Sequence, residues 1–229
     1  MLAALRAEVL EANLELVRRG LLLYTFGNAS GLSREQGLVV IKPSGVPYEK
    51  MTPADMVIAD LDGRVVEGSL RPSSDLPTHV ALYRAFPSIG GVVHTHSRHA
   101  TAWAQAGREI PCFGTTHADY FHGPVPVTAP LTPAEIESEY EANTGAAIIR
   151  LMEDRDPLGC PAALVAGHGP FCWGKSAADA VHMAVIVEEL AAMAWQTLTI
   201  NPAAVPISEA LRDKHYFRKH GPTAYYGQK

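Results

Sequence analysis

The sequence predicts an α/β fold in one domain spanning residues 1–229, and three observations carry that expectation. Hydrophobic residues make up 47% of the chain and charged residues 19%, enough apolar material for a sizeable core and too much for a disordered tail. Short β-branched runs are interspersed with amphipathic stretches at helical spacing, without a strict βαβ rhythm. No internal repeat or low-complexity linker invites a division into two units.

The elements follow in order. Residues 2–19 carry Leu5, Val9, Leu10, Leu14 and Val17 at helical spacing, and Gly20 sits where a helix end favours a left-handed residue. Leu38 to Ile41 reads as a short buried strand, and residues 56–66 as a hairpin turning on Asp62-Gly63. Ser74 or Asp75 caps a helix through Leu82 to Phe86, with Pro77 in its first turn, where a missing N–H costs nothing. Residues 89–96 form the next strand, and Ser97 caps the helix after it. Thr132-Pro-Ala-Glu135 and Ser176-Ala-Ala-Asp179 are capping-box patterns, each predicted to start a helix of about 20 residues. Between them, residues 162–166 form a strand ending at His168. The last helix, 208–219, is stopped by Gly221-Pro222.

Several function classes are excluded. The net charge is −5 and the 19 Lys and Arg are scattered, so no nucleic-acid footprint is visible and an anionic partner must be held locally. The longest apolar stretch, Ala180 to Trp195, is interrupted by His182, Glu188 and Glu189 and falls short of the roughly 18 apolar residues of a membrane span. Arg6 and Glu8 break the first apolar run, which lacks a signal-peptide layout, so a cytoplasmic protein is expected. Cys112, Cys160 and Cys172 form no C-x-x-C pair and read as free thiols. No phosphate-loop or dinucleotide fingerprint is present. Histidine is the anomaly: six of ten fall between His79 and His122.

Alternate residues of a strand share a face, so His94 and His96 project together and can grip one cation. His168, in Gly167-His-Gly169, ends another strand, and its flanking glycines allow close approach of backbone and ion. Three neutral imidazoles with an open position suit a catalytic zinc rather than a closed structural one. Asp75 is a fourth ligand or a carboxylate beside the ion. The alternative is a pair of half-buried histidines bonded to backbone carbonyls. His99 reads as a supporting or surface residue, and His79 and His122 as structural.

Three stretches rich in glycine and hydroxyl residues stand at element ends: Phe26-Gly27-Asn28-Ala-Ser30, Lys42-Pro-Ser44-Gly45 and Pro72-Ser73-Ser74-Asp75. They offer N–H groups and hydroxyls to a phosphate, Lys42 adds charge, and Ser73-Ser74 lies at a helix N-terminus that favours an anion. Read singly, each is also an ordinary turn. Asp119, in a predicted turn at Thr115-Thr-His-Ala-Asp119, is either a general acid or base or a helix cap. Tyr225-Tyr226 is an aromatic pair in a polar tail and offers a phenol as general acid, reaching a neighbouring subunit if the tail extends that far. Lys214, His215 and Arg218 lie about one turn apart on the last helix and read either as a cationic face or as ordinary solvated charges.

Taken together, Gly27-Asn28, Lys42-Pro-Ser-Gly45, Ser73-Ser-Asp75, His94-Thr-His-Ser-Arg-His99, Gly114-Thr-Thr-His-Ala-Asp119, His168-Gly-Pro-Phe and the ending Lys214-His-Tyr-Phe-Arg-Lys-His-Gly with Tyr-Tyr226-Gly-Gln resemble the L-ribulose-5-phosphate 4-epimerases of the class II aldolase/epimerase superfamily. The motifs occur in order from residue 13 to 228. Residues 154–161 and 195–207 do not match and are expected to be surface loops.

The resemblance implies a homotetramer of three-layer α/β/α subunits around a mainly antiparallel sheet, with zinc sites at subunit interfaces. It implies that His94, His96 and His168 bind zinc, with Asp75 at or beside the ion and Mn or Co as substitutes. Gly27, Asn28, Ser44, Gly45, Ser73 and Ser74 are implied to hold the phosphate of a pentulose, with Lys42 nearby. Asp119 and Tyr226, the latter from an adjacent subunit, are the implied acid/base pair, supported by Thr115, Glu141, His215 and Arg218. The implied reaction interconverts L-ribulose 5-phosphate and D-xylulose 5-phosphate by retro-aldol cleavage of C3–C4, in arabinose or ascorbate catabolism. The competing readings are a fuculose- or rhamnulose-phosphate aldolase, which typically has Glu where Asp75 stands, and a non-catalytic adducin-like interaction domain.

Overall fold

The structure is a computed structural model that describes residues 1–222 and 224–226. Its elements in chain order are α1 (Ala3–Arg18), β1 (Gly27–Ser33), β2 (Leu38–Ile41), β3 (Val57–Asp60), β4 (Val65–Glu67), α2 (Leu76–Ala85), β5 (Gly91–Thr95), α3 (Arg98–Gln105), α4 (Thr115–Ala118), α5 (Pro133–Glu137), α6 (Tyr140–Leu151), β6 (Ala162–Val165), β7 (Gly169–Gly174), α7 (Ala177–Ile200) and α8 (Glu209–Lys219). The strands form one sheet of order β4-β3-β2-β1-β5-β7-β6, in which every pairing is antiparallel.

Strand periodicity builds the layers. Val40, Ile58, Val93, Leu164 and Cys172 face a cluster with Val9 and Leu16 of α1, Ala100 and Ala104 of α3 and Ala184 and Val187 of α7. Their neighbours Val39, Val57, Val92, Val165 and Phe171 face the opposite cluster, with Val80 and Tyr83 of α2 and Ile148 of α6. Side chains that alternate between two apolar faces require helices on both, which gives the expected α/β/α layering.

The expected helices at 2–19, 75–86 and 208–219 form, as does the hairpin at Asp62-Gly63, where Gly63 has φ +80°. Other elements differ. The segment Gly27 to Ser30, placed at an element end with an ordinary turn as the alternative, lies within β1, the central strand. The helix expected from Thr132 breaks at Ser138, where Asn143 Nδ2 donates to the Glu135 carbonyl and to Ser138 Oγ. α7 runs to Ile200, so residues 195–200 of the expected loop are helical, and Thr115–Ala118 is a helical turn. Ser97 makes no capping bond with its side chain, and Glu188 from α7 accepts the His99 and Ala100 N–H groups in its place.

Some of the buried polar residues are paired into the frame. Asn13 donates through Nδ2 to the Val9 and Ala29 carbonyls and accepts the Ala29 N–H, clamping α1 to β1 just beyond the last residue that β2 covers. His79 and His117 are buried, and burial pushes each down to about 4, opposed for His79 by Asp75 and for His117 by its bond to the Gly123 carbonyl. Both lie below the unfolded value of 6.5, so the neutral ring's stabilisation is complete above that pH and is lost as pH falls toward 4. Stability is expected to fall by about 3 kcal/mol per pH unit from these two rings over that window. Urea midpoints measured from pH 7 to 4 check this, and a flat profile contradicts it.

Candidate active site

The cleft opens at one end of the sheet, on the α2/α6 face. His94 lies on β5, paired with Asn28 of β1 on one side and Phe171 of β7 on the other. Phe171 stacks on its ring, with centroids 4.2 Å apart and planes 15° from parallel. Gly27 is a glycine because φ is +116° and a Cβ there would stand 2.9 Å from the His94 carbonyl oxygen. His168 occupies the tip of the β6–β7 hairpin, which closes on the Val165–Gly169 pair. The flanking glycines act differently from the expectation: Gly167 (φ +73°) makes the left-handed turn, and Gly169 abuts the Thr95 carbonyl, 2.8 Å from where its Cβ would be.

Ligand atoms of His94, His96 and His168 all lie within 4.8 Å of one another. His94 and His96 bring Nε2 to Nε2 at 3.1 Å. His94 Nδ1 is 3.0 Å from the Pro170 carbonyl, which only accepts, so the proton sits on Nδ1 and Nε2 keeps its lone pair. Burial lowers all three rings, His94 to about 3, so each is neutral at pH 7. Neutral imidazoles converging lone pairs beside an anionic carboxylate fit a divalent cation. That carboxylate is Asp75: burial raises its pKa, but charge on His94 and His79, when they are protonated, and a 2.6 Å bond from Asn28 Nδ2 outweigh this and lower it. Asp75 lies outside the converging ligand group and stands beside it.

The whole cleft has a volume of about 360 Å³, and beside the histidines and Asp75 it is lined by Gly27, Asn28, Lys42, Ser44, Gly45, Ser73, Ser74, Tyr140 and Glu141. Two of the expected N–H donors are already used: Ser44 N–H donates to the Arg71 carbonyl and Ser73 N–H to that of Lys42, tying the two loops together. Ser44, Gly45, Ser73, Ser74 and Lys42 nonetheless line the cleft, and Ser73 Oγ accepts from Asn28 Nδ2 at 3.0 Å. Lys42 is buried against the Tyr48 ring, and burial lowers it to about 8 against the opposing field of Asp75, so it is charged at pH 7. Asn28 Oδ1 is buried without a partner.

Asp119, Thr115 and Tyr226 do not line this cleft. Asp119 is held by Arg218 at 2.8 Å, His215 at 3.1 Å and Lys219 at 3.2 Å. Burial raises its pKa, but these three bonds outweigh that and keep it a carboxylate. The Tyr226 ring lies over Arg218 and Lys219, so Asp119 and Tyr226 share cations within one chain. Gly227 and Gln228 of the terminal motif lie outside the described residues. His99 pairs with Glu188 and His122 with Asp213. Sequence reasoning missed Tyr140, whose hydroxyl meets His168 Nδ1, and Phe171, because neither spacing nor residue type separates them from helix and core aromatics.

Fold and cleft together define an α/β/α protein of the class II aldolase type. Residues 7–195 match the family described as class II aldolase and adducin N-terminal domain, and the chain belongs to that family. It is 59% identical over 225 residues to the L-ribulose-5-phosphate 4-epimerase UlaF of Salmonella paratyphi C (strain RKS4594), covering 98% of this chain and 99% of the relative. The protein of the same name from Salmonella typhi matches at the same identity and coverage. Among solved structures, an L-fuculose 1-phosphate aldolase superposes with TM-score 0.80 at 25% identity, over 94% of this chain and 95% of its own. The L-fuculose-1-phosphate aldolase of Thermus thermophilus gives TM-score 0.68 at 25% identity, over 89% and 98%. Among the described residues, no helix is long and apolar enough to cross a membrane.

Proposed function

We propose that this protein interconverts L-ribulose 5-phosphate and D-xylulose 5-phosphate by breaking and remaking the C3–C4 bond. The observation that carries the reading is one cleft with three convergent imidazoles and a cradle of hydroxyls, N–H groups and a buried ammonium, in a chain 59% identical to proteins named for that epimerisation. A divalent ion bound there, zinc with Mn or Co as substitutes, would supply Lewis-acid chemistry. His94, His96 and His168 would hold it, with Asp75 beside.

C4 of a 2-ketose has no acidic hydrogen, so inversion needs oxidation or bond rupture, and the chain carries no dinucleotide fingerprint. Lys42, Asn28, Ser44, Gly45, Ser73 and Ser74 hold the phosphate, keeping the two-carbon aldehyde in place while it turns its other face. Asp119, a carboxylate at neutral pH, accepts a proton from the C4 hydroxyl on one face, and Tyr226 returns one on the other. Neither lines the cleft of its own chain, so a neighbouring copy supplies both, along with Thr115, His215 and Arg218. Glu141 already lies in the cleft. This arrangement suits a homotetramer with interfacial sites. It moves Asp119 to the same side of the interface as Tyr226.

A coupled assay tests the reading. L-ribulose 5-phosphate is expected to give D-xylulose 5-phosphate, with activity lost on chelation and restored by zinc. Accumulation of free dihydroxyacetone and glycolaldehyde phosphate identifies an aldolase instead, and a metal-free inert protein an interaction domain.

A further inference from the structure

We propose that Tyr140 is the positioning residue of His168 and presents its own hydroxyl proton to the substrate, an inference that rests on the metal-dependent reading above. Tyr140 opens α6 and lines the cleft. Its Oη lies 3.2 Å from His168 Nδ1, with the two rings 30° from parallel. For His168 to offer Nε2 to a cation, its proton must sit on Nδ1, and the partner the structure gives that proton is Tyr140 Oη.

A phenol accepts and donates at once. With one lone pair of Oη taken by His168, the O–H is left to turn into the cleft, where the sugar oxygens lie. His94 shows the contrast. Its Nδ1 proton goes to the Pro170 carbonyl, which fixes the tautomer but has no proton to pass on. Tyr140 fixes the tautomer and keeps a donor. Its hydroxyl bonds His168 and no cradle residue, so its loss should leave phosphate recognition intact.

Tyr140→Phe keeps the ring and its packing on a half-buried helix start, and three readouts follow. Long-range ¹H–¹⁵N spectra of the metal-free protein should show His168 as the Nδ1–H tautomer, and a shift toward Nε2–H in the variant. Zinc affinity by chelator competition should fall tenfold to a hundredfold, as for other groups that orient a metal-bound histidine. The turnover number should drop while KM for L-ribulose 5-phosphate changes less than threefold. An unchanged tautomer with unchanged zinc affinity overturns the inference. A wild-type protein that binds zinc with the expected tautomer but does not epimerise removes the proposed reaction and leaves the positioning of His168 standing.

Discussion

Replacing His94 by alanine is expected to weaken zinc binding by well over 100-fold and to abolish epimerisation, while the protein still folds. Groups that only orient a ligand are worth about tenfold to 100-fold in metal affinity, and a ligand itself must exceed that. His94 is the ring with the most rigid setting. It is 1% exposed, stacked on Phe171 and tautomer-locked by the Pro170 carbonyl, so neither water nor a neighbouring side chain can take its place. The truncation also leaves a cavity against Phe171, with a stability cost of about 2–4 kcal/mol. Chelator competition, the coupled assay and a thermal melt separate the two effects. A folded His94→Ala protein that keeps tight zinc binding and activity contradicts the site.

Asp119→Asn is expected to lower the turnover number by about 10²–10⁴, the range for a lost acid/base group. The sharper result comes from mixing it with His94→Ala. If the cleft of one copy is completed by Asp119 and Tyr226 of the next, random mixing of the two inactive proteins restores about one quarter of the sites, since each needs an intact cleft and an intact neighbour across a heterologous interface. Mixing Asp119→Asn with Tyr226→Phe restores nothing, because both residues sit on the same chain around Arg218. Activity regained in the second mixture and not the first places Tyr226 opposite Asp119, as the family resemblance implies.

The contrast between those two pictures shows what the sequence can and cannot carry. That the three histidines and the glycine-serine segments are candidates for one cleft is legible, because H-x-H on a strand, a glycine-flanked histidine and glycine-serine loops show their donor groups locally. β1 is not. Its residues, Gly27-Asn-Ala-Ser-Gly-Leu-Ser33, are small and polar where strands favour branched ones. They are small because α1 presses on them: a Cβ on Gly31 would stand 2.8 Å from Leu5 and 3.0 Å from Val9. The same blindness hides Asn13, which takes the place of a strand partner, and Glu188, which caps α3 from 89 residues away. Partners so distant leave no periodic trace. Asp119 stands out in the sequence as a titratable group, but its cations come from α8, so neither its charge state nor its distance from the histidines can be read locally.

The central claim is that the three-histidine cleft is a metal-dependent epimerisation site. Zinc titrated into stripped protein, with bound metal and D-xylulose 5-phosphate formation followed together, tests it most directly. Activity should rise in proportion to occupancy and level off at one ion per chain, with no free fragments released. Full epimerase activity in the stripped protein, or zinc saturation without any product, would contradict it.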